Sequence, residues 1–381
     1  MVKYVLTFFI STLSCHLVFS QISDKAEAIE DYYTNYLESR IDSDLLQWTG
    51  DVTNCNQGTI SSIARDKLLQ RINYFRRMVG VEDQIVFSSN LDNKCQQAAL
   101  MMDANGSLSH DPPSNWLCFS TEGAEAAAKS NLFGGVSALP IVNRFNPVDD
   151  YIDDQGVSNT LVGHRRWLLN SKAKIFGVGQ TNNYNAMWVL QSTINPSVYN
   201  NFIAYPPAGY IPNTLVYDRW SFSVPGANFN NASVTVIDMN TNSIPISVNG
   251  SNNNGAGDNI IVWEPSGIMT DSSEDVLYTV TINGVVLTDG TNRNFTYTTK
   301  IFEPLILGDV NVDGHLNVGD ALIIAQYTVG LRNSGNCENL IARTELCLSN
   351  ADVDNDGHVD IGDALFVAQC TVGLTNALCP N

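Results

Sequence analysis

The sequence predicts a multidomain protein with a mixed α and β domain, an all-β domain and a small helical module. Three observations predict this fold class. Helical and strand-like segments mix over residues 59–205, short β-branched segments separated by Asn, Gly and Asp fill residues 206–305, and one acidic loop with its helix occurs twice in residues 306–381. A chain of 381 residues has room for two or three such domains.

The N-terminal segment has the features of a secretory signal peptide over residues 1–20. Lys3 precedes a mostly apolar run that ends at Ser20, where cleavage is expected. The formal net charge is −19, and removal of Lys3 gives the mature chain −19 − 1 = −20. This charge opposes binding to nucleic acid or to an anionic membrane surface. No later segment reaches the roughly 18 uninterrupted apolar residues of a membrane span, so we expect a secreted protein.

The mixed domain follows an acidic lead-in, residues 22–58, which is expected to be helical. The segment ISSIARDKLLQRINYFRRMVG predicts a helix because its apolar residues recur near helical spacing, at Ile63, Leu68, Leu69, Ile72 and Phe75. The segment NKCQQAALMMDANG predicts a second helix. The segment AKIFGVGQTNNYNAMWVLQST predicts two strands joined by an Asn-rich turn.

Residues 206–305 have the pattern of a small β-sandwich. The segments SVTVIDM, NIIVWEP, VLYTVTI and NFTYTTKIF alternate or run apolar, are rich in β-branched residues, and are separated by turn residues.

The C-terminal repeat has the spacing of a calcium-binding loop. Its two copies are offset by 352 − 309 = 43 residues, and each carries Gly at position 6, where the chain turns sharply. Positions 1, 3, 5, 7, 9 and 12 of the first copy are Asp309, Asn311, Asp313, His315, Asn317 and Asp320, and those of the second copy are Asp352, Asp354, Asp356, His358, Asp360 and Asp363. Position 7 donates its backbone carbonyl, so neither histidine ring is required. The repeat therefore predicts two bound calcium ions.

Residues 306–381 resemble a dockerin domain. Each copy is a loop with an exit helix, VGDALIIAQYTVGL or IGDALFVAQCTVGL, position 12 is Asp rather than Glu, and no helix precedes Asp309. The resemblance implies a fold built around two calcium ions and a cohesin module of a scaffold protein as partner. Loop positions 10 and 11 are Val-Gly and Ile-Gly instead of the hydroxyl pair of many dockerins, which leaves the choice of cohesin open. An intramolecular or structural role for the module is the alternative.

Residues 60–200 resemble the CAP superfamily of SCP-like extracellular proteins, in its bacterial form. The matching segments are INYFRRMVG, LSHDPP, AEAAAKSNLFGG, DDQGVSNTLVGHRRWLLN and FGVGQ. The resemblance implies a three-layer α-β-α sandwich for residues 59–205, and an Ig-like extension that begins near AYPPAGY.

The same resemblance implies a cleft with two histidines and two acidic residues. His110 and His164 match the histidines, and Asp154 matches the second acid. Ser130 occupies the place of the first acid, and Glu122 or Glu125 upstream are candidates to replace it.

Three uses of this site stay open. His110, Asp154 and His164 are candidates to hold zinc or another divalent ion. The same three residues with Glu122 and Glu125 are candidates for general acid–base catalysis. Histidines that only hold loops in place are the third possibility.

The sequence favours a secreted, non-enzymatic protein that binds a small, lipid-like or peptide ligand in its cleft and is attached by calcium and dockerin to a cohesin-bearing extracellular complex. The alternative is a metal-assisted hydrolase of peptide, polysaccharide or cell-wall substrates, since dockerins accompany polysaccharide-degrading enzymes.

Seven cysteines remain after signal cleavage, and secretion favours disulfides between them. We expect Cys337 to pair with Cys347 and Cys370 with Cys379. The odd number leaves at least one thiol free or bonded between chains.

Overall fold

The computed structural model describes residues 24–81, 85–134, 145–190, 202–255, 257–272, 274–335, 346–374 and 378. The predicted signal peptide lies outside these residues.

The lead-in is a series of short helical turns. It consists of α1 (Lys25–Asp31), a π-helical turn (Tyr32–Tyr36), a 3-10 turn (Leu37–Ser39) and α2 (Ser43–Leu46). The side chains of Asp24 and Asp42 each accept a backbone N–H in the first turn of the helix that follows, so α1 and α2 both begin at capping residues.

The mixed domain is one four-stranded sheet with helices on both faces. The strand order is β1-β3-β4-β2, where β1 and β3 are parallel and the other pairs antiparallel. The strands are β1 (Val86–Phe87), β2 (Ser130–Gly134), β3 (Ile175–Gln180) and β4 (Tyr184–Trp188), and the helices are α3 (Ser62–Met78), α4 (Ser89–Asn105), α5 (Thr121–Lys129), α6 (Val148–Asp153) and α7 (Gly163–Leu168).

The two faces of the sheet belong to different cores. Phe176 and Met187 share a buried cluster with α3 and the lead-in, whereas Ala186 and Trp188 share another with α4 and α5. Residues of one strand alternate between faces, so the sheet is the middle layer between two helical layers.

The segment FGVGQ needs glycine because α4 lies directly on β3. A Cβ atom at Gly179 would lie 2.1 Å from the backbone nitrogen of Gln96, and one at Gly177 would lie 2.4 Å from Leu91 Cβ. Both distances are shorter than any non-bonded contact, so a larger residue would push the helix off the sheet.

Helix α3 follows its predicted pattern except at its start. Leu68, Ile72 and Phe75 are buried, but Ile63 is 54% exposed. Helix α3 begins at Ser62, and in its first turn Ile63 faces solvent while Ala64 is buried in the core.

The β domain consists of two sheets, one with the order β10-β11-β7-β5 and one with the order β6-β13-β12-β8-β9. All pairs are antiparallel except β6 with β13. Aromatic rings join the sheets, with Trp220 6.1 Å from Tyr278 and Phe222 5.1 Å from Phe295 between ring centroids. The strands are β5 (Ile203–Tyr205), β6 (Gly209–Pro212), β7 (Trp220–Ser223), β8 (Ser233–Asp238), β9 (Ser243–Ile244), β10 (Ile246–Asn252), β11 (Ile260–Pro265), β12 (Val276–Val286) and β13 (Asn292–Phe302).

The C-terminal module pairs α8 (Val318–Thr328) with α9 (Ile361–Thr371), and adds the short strands β14 (Ser334–Gly335) and β15 (Leu346–Cys347). Both helices begin with a capping box, in which position 9 and position 12 of the preceding loop satisfy each other's backbone N–H groups. Its own core is small and consists of Val310, Ala321, Ile323, Ile324, Leu346, Ala351, Val353, Ala364 and Val367.

The cysteines form bonds that the sequence predicts only in part. Cys55 and Cys118 form a disulfide between the lead-in and the loop before α5. Cys347 and Cys370 each take part in a disulfide. Their predicted partners, Cys337 for the first and Cys379 for the second, lie outside the described residues. Cys95 is the free cysteine of the described part of the chain, and it is buried.

Candidate functional site

A buried carboxylate orients His164. Asp154 ends α6 with φ of 56°, and its side chain is 0% exposed. Its Oδ1 lies 2.7 Å from His164 Nδ1, and its Oδ2 accepts the backbone N–H of His164 at 2.8 Å. A carboxylate only accepts, so Nδ1 carries the proton and Nε2 remains as the acceptor of the ring.

Two arginines hold the backbone of this pair from both sides of a domain boundary. Arg219, just before β7, donates to the carbonyl of Asp154 at 2.7 Å. The buried guanidinium of Arg165 donates to the carbonyl of Arg219 at 2.7 Å and to that of Asp153 at 3.2 Å. The position of Asp154 therefore depends on the β domain as well as on α6.

Tyr151 and Asn131 complete the surroundings of His164. The Tyr151 ring centroid lies 5.5 Å from that of His164. Its hydroxyl lies 3.1 Å from the carbonyl oxygen of Asn131 and 3.0 Å from Asn185 Oδ1. Asn131 in turn donates to the carbonyl of His164 at 3.1 Å. Asn131, which follows Ser130 in β2, thus fixes α7 against this strand.

His110 is exposed and is held by backbone. Its Nδ1 lies 2.8 Å from the carbonyl oxygen of Ala127, in α5. Because a carbonyl only accepts, Nδ1 is again the protonated nitrogen and Nε2 the acceptor.

The two glutamates proposed as replacement acids have other partners. Glu125 pairs with Lys94 at 2.6 Å and Lys129 at 2.9 Å, and these hydrogen bonds lower the pKa of Glu125 to about 2. Glu122 accepts a hydrogen bond from Gln97 at 2.8 Å. In the described residues neither carboxylate contacts a histidine, so their predicted role as the missing acid gains no support.

Ser130, at the place of the missing acid, faces the core. It is 4% exposed, and its Oγ lies 3.9 Å from the thiol of Cys95. Burial raises the pKa of Cys95 to about 12, so the thiol stays protonated and unreactive at neutral pH.

The predicted zinc site also gains no support from the geometry. Zinc ligands lie about 2.0–2.3 Å from the ion, so their donor atoms must converge. Within the described ranges, the group of three or more His, Cys, Asp or Glu whose ligand atoms lie within 4.8 Å of one another is Asp352, Asp354 and Asp356. His110, Asp154 and His164 form no such group.

Asp150 is a buried acid beside this site. Its Oδ2 is buried with no hydrogen-bond partner. Burial, followed by the negative charges of Asp149 and Asp153, raises the pKa of Asp150 from 3.8 to about 7. In the folded state Asp150 therefore keeps its proton at mildly acidic pH, where an ordinary carboxyl group has lost it.

We expect Asp150→Asn to stabilise the protein at neutral and alkaline pH. A raised carboxyl pKa gives stability that is present below the unfolded pKa of 3.8 and lost as pH rises to about 7. The variant has no carboxyl group to ionise here and lacks this loss. The difference in free energy of unfolding between the variant and the original protein should therefore grow between these pH values and reach roughly 2–4 kcal/mol. Urea unfolding at pH 4 and pH 8 measures it. An advantage independent of pH would contradict the assignment.

The first calcium loop, residues 309–320, gathers oxygen donors around its own backbone. Asp309 Oδ2 accepts the N–H of Gly314 at 2.9 Å, and Oδ1 that of Asp313 at 3.1 Å. Asp320 Oδ2 accepts the N–H of Asn317 at 2.9 Å. Burial raises the pKa of Asp309 to about 6.

The second calcium loop, residues 352–363, repeats this arrangement with more charge. The oxygens of Asp352, Asp354 and Asp356 lie within 4.8 Å of one another. Asp363 accepts the N–H groups of Val353 at 2.6 Å and Asp360 at 2.8 Å. The second loop has five carboxylates where the first has three, because Asp replaces Asn at positions 3 and 9.

The loop histidines make backbone contacts within their loops, and the role of their carbonyl groups as calcium ligands stays a prediction. The N–H of His315 donates to Asp313 at 2.9 Å and that of His358 to Asp356 at 2.8 Å. Both residues are exposed. Their rings are not placed as ligands in either loop.

Comparison with known families finds two matches in this chain. Residues 69–191 match the model of CAP, the cysteine-rich secretory protein family, and residues 307–370 match that of the dockerin type I domain. The chain carries a CAP domain followed by a dockerin domain. No curated protein and no solved structure matches the chain.

The dockerin domain assigns the ion and the kind of partner. Dockerin type I domains bind calcium, and the oxygen donors of both loops fit this ion. A dockerin also implies a cohesin partner. No helix among the described residues is long and apolar enough to cross a membrane.

Sequence reasoning missed the disulfide between Cys55 and Cys118. A signal was present, because both cysteines lie in polar, turn-rich segments, VTNCNQG and SNWLCFS, whereas Cys95 lies within an apolar helix. Of the three cysteines in this half of the mature chain, the two loop cysteines were the better pair.

Proposed function

We propose that this is a secreted, non-enzymatic protein whose dockerin attaches it to a cohesin-bearing extracellular complex, and whose CAP domain binds a small, lipid-like or peptide ligand. The observation that supports the attachment is a pair of equivalent apolar faces on the dockerin. The first face is Val318, Leu322, Val329 and Leu331, and the second face is Ile361, Leu365, Val372 and Leu374.

The two faces repeat each other residue for residue. Each residue of the second face follows its counterpart by 43 positions, as in 365 − 322 = 43. Leu322 and Leu365 are each 57% exposed, and Val329 and Val372 are 68% and 72% exposed. Exposed apolar side chains grouped on one helix and its end are typical of a protein-binding site. Two equal copies allow a cohesin to bind in either of two orientations.

We expect both faces to be changed before cohesin binding is lost. Leu322→Asp or Leu365→Asp alone should weaken binding about twofold, since one face remains. The double variant should bind at least about 100-fold more weakly, because it places a charge in both apolar contacts. Calorimetry with type I cohesin modules and calcium measures this.

Two outcomes would count against this proposal. A double variant that binds like the original protein would exclude these faces as the contact. A single variant that abolishes binding would show that only one face is used. Lys300→Asp, on β13 of the β domain, is a control for charge alone.

For the CAP domain, ligand binding is favoured over hydrolysis by what the site holds. His164 and His110 each present Nε2 as an acceptor, and Asp154 is fully occupied by His164. Among the described residues, no converging group of metal ligands includes them. Stoichiometric zinc uptake that disappears in the double variant His110→Ala, His164→Ala would favour the hydrolase instead.

A further inference from the structure

The lead-in contacts the first calcium loop directly. Tyr33 is 5% exposed, and its hydroxyl accepts the N–H of Ile306 at 3.1 Å. Its ring covers Gly314, where a Cβ atom would lie 3.2 Å from Tyr33 Cγ. Position 6 of this loop therefore needs glycine for the close approach of Tyr33 as well as for its φ of 84°.

The hydroxyl of Tyr33 also faces Asp309, the first ligand of the loop. A side-chain hydrogen bond joins the two groups, and the phenol O–H is its donor because a carboxylate only accepts. Tyr33 thus has the position of an outer partner that orients a metal-binding oxygen.

The loop also buries an apolar side chain in the large core that the lead-in shares with the CAP and β domains. Val312 is 3% exposed and belongs to the same buried cluster as Tyr33 and Leu37, not to the dockerin's own core. Its φ is 54°, a conformation that β-branched residues rarely adopt. Asn355 has the same conformation at the equivalent position of the second loop, so the loop geometry imposes it, and burial of the Val312 side chain offsets its cost in the first loop.

The second calcium loop has none of these contacts. Asn355 takes the place of Val312, with φ of 58°, and is exposed. Asn tolerates this conformation. A Cβ atom at Gly357 would meet nothing within 4 Å. The two copies therefore differ where the first one touches the lead-in, although their helix faces are equally exposed.

The lead-in itself is anchored to the other two domains. Asp31 pairs with Arg77 of α3 at 2.6 Å, and Lys25 pairs with Asp275 of the β domain at 2.5 Å. A loop that docks on Tyr33 is thereby fixed to the CAP and β domains together.

We propose that the lead-in is an intramolecular docking site for the first calcium loop, so that calcium in this loop fixes the orientation of the dockerin on the rest of the protein. Coupling of this kind is reciprocal. Calcium orders the loop that Tyr33 and its neighbours contact, and docking raises the calcium affinity of that loop alone. The proposal goes beyond attachment to cohesin and does not depend on it.

Calcium titration of the full-length protein tests the coupling. Asp309→Asn and Asp352→Asn assign the two binding steps to the two loops. Tyr33→Phe should weaken the first-loop step about tenfold, as loss of an outer partner does, and leave the second unchanged. Tyr32→Phe is the matched control, since it removes a hydroxyl from the neighbouring residue, whose ring stacks on Tyr36 at 5.0 Å. Equal first-loop affinities in these two variants would overturn the role of Tyr33.

Hydrogen exchange on the same proteins tests docking itself. In the original protein, amides of the lead-in and of Ile306 should exchange at least about tenfold more slowly with calcium than in EDTA. The variant Val312→Asn should still bind two calcium ions but should lose most of this difference in exchange rate. Asn355→Ala, at the equivalent exposed position, should leave it unchanged. Lead-in exchange that is the same with and without calcium in the original protein would overturn the proposal. Cohesin binding is not measured here, so this failure would be distinct from failure of the attachment.

Discussion

Chelation of calcium is expected to unfold the dockerin domain of the intact protein and to leave the cores of the CAP and β domains folded. The dockerin's own core contains few large side chains, and a domain of this size is marginally stable because it buries a smaller fraction of its surface than a large domain does. Three carboxylates in one loop and five in the other repel one another without a cation. Calcium at 1,000 times its dissociation constant contributes about 4 kcal/mol for each loop, a large part of a small domain's stability.

Hydrogen exchange and circular dichroism measure this unfolding. In excess EDTA, the amides of α8 and α9 should lose most of their protection and the helical signal should fall, while α3 in the same sample keeps its protection. Re-addition of calcium should restore both. Unchanged dichroism and unchanged exchange in α8 and α9 would show that binding and folding are not coupled.

Arg71→Met is expected to lower the free energy of unfolding by about 3–5 kcal/mol, the cost of leaving a buried charge unpaired. Arg71 and Asp149 form a buried ion pair, with side chains 3% and 11% exposed. Arg71 also donates to Ser39 Oγ at 2.7 Å and to the carbonyl of Tyr36 at 2.8 Å. Burial raises the pKa of Asp149 even beside this arginine. The variant would lose the lead-in's anchor and leave Asp149 without its cation.

Urea unfolding with two companion variants separates these causes. Replacement of both partners, Arg71→Met with Asp149→Leu, should recover part of the loss because no charge stays buried. Lys129→Met breaks the exposed pair with Glu125, whose side chains are 42% and 40% exposed, and should cost at most about 1 kcal/mol. A loss in Arg71→Met no larger than that in Lys129→Met would contradict the buried-pair argument.

The features that the sequence predicts best are those encoded locally. The calcium loops are such a case, because donors at alternate residues and one Gly determine the loop without distant contacts. Helix α3 is another, since Leu68, Ile72 and Phe75 follow helical spacing, and only the first turn at Ile63 departs from it. The β strands were predicted by composition, and their division into two sheets follows from pairing across the chain; the Ig-like topology stays a prediction.

The parts that escape prediction depend on contacts between distant segments. Glu122 and Glu125 lie three apart on α5, so both reach partners on α4, and no pattern in α5 alone reveals this. The family resemblance placed Asp154 and His164 in one cleft. The hydrogen bonds between them depend on the left-handed backbone conformation of Asp154 at the end of α6, which the sequence does not reveal. The contact of Tyr33 with the first calcium loop spans nearly the whole chain and has no local signal.

The guanidinium groups of Arg165 and Arg219 cross between the CAP and β domains and satisfy backbone carbonyls on the far side. A recombination event that exchanged one of these domains for a foreign one would leave buried arginines without acceptors. The two domains are therefore expected to be inherited as one block. The dockerin contacts the lead-in through its first calcium loop. Replacement of the dockerin by another domain would therefore lose that contact but would leave the CAP and β domains intact. We expect domain exchange to be tolerated best at a junction near residue 305.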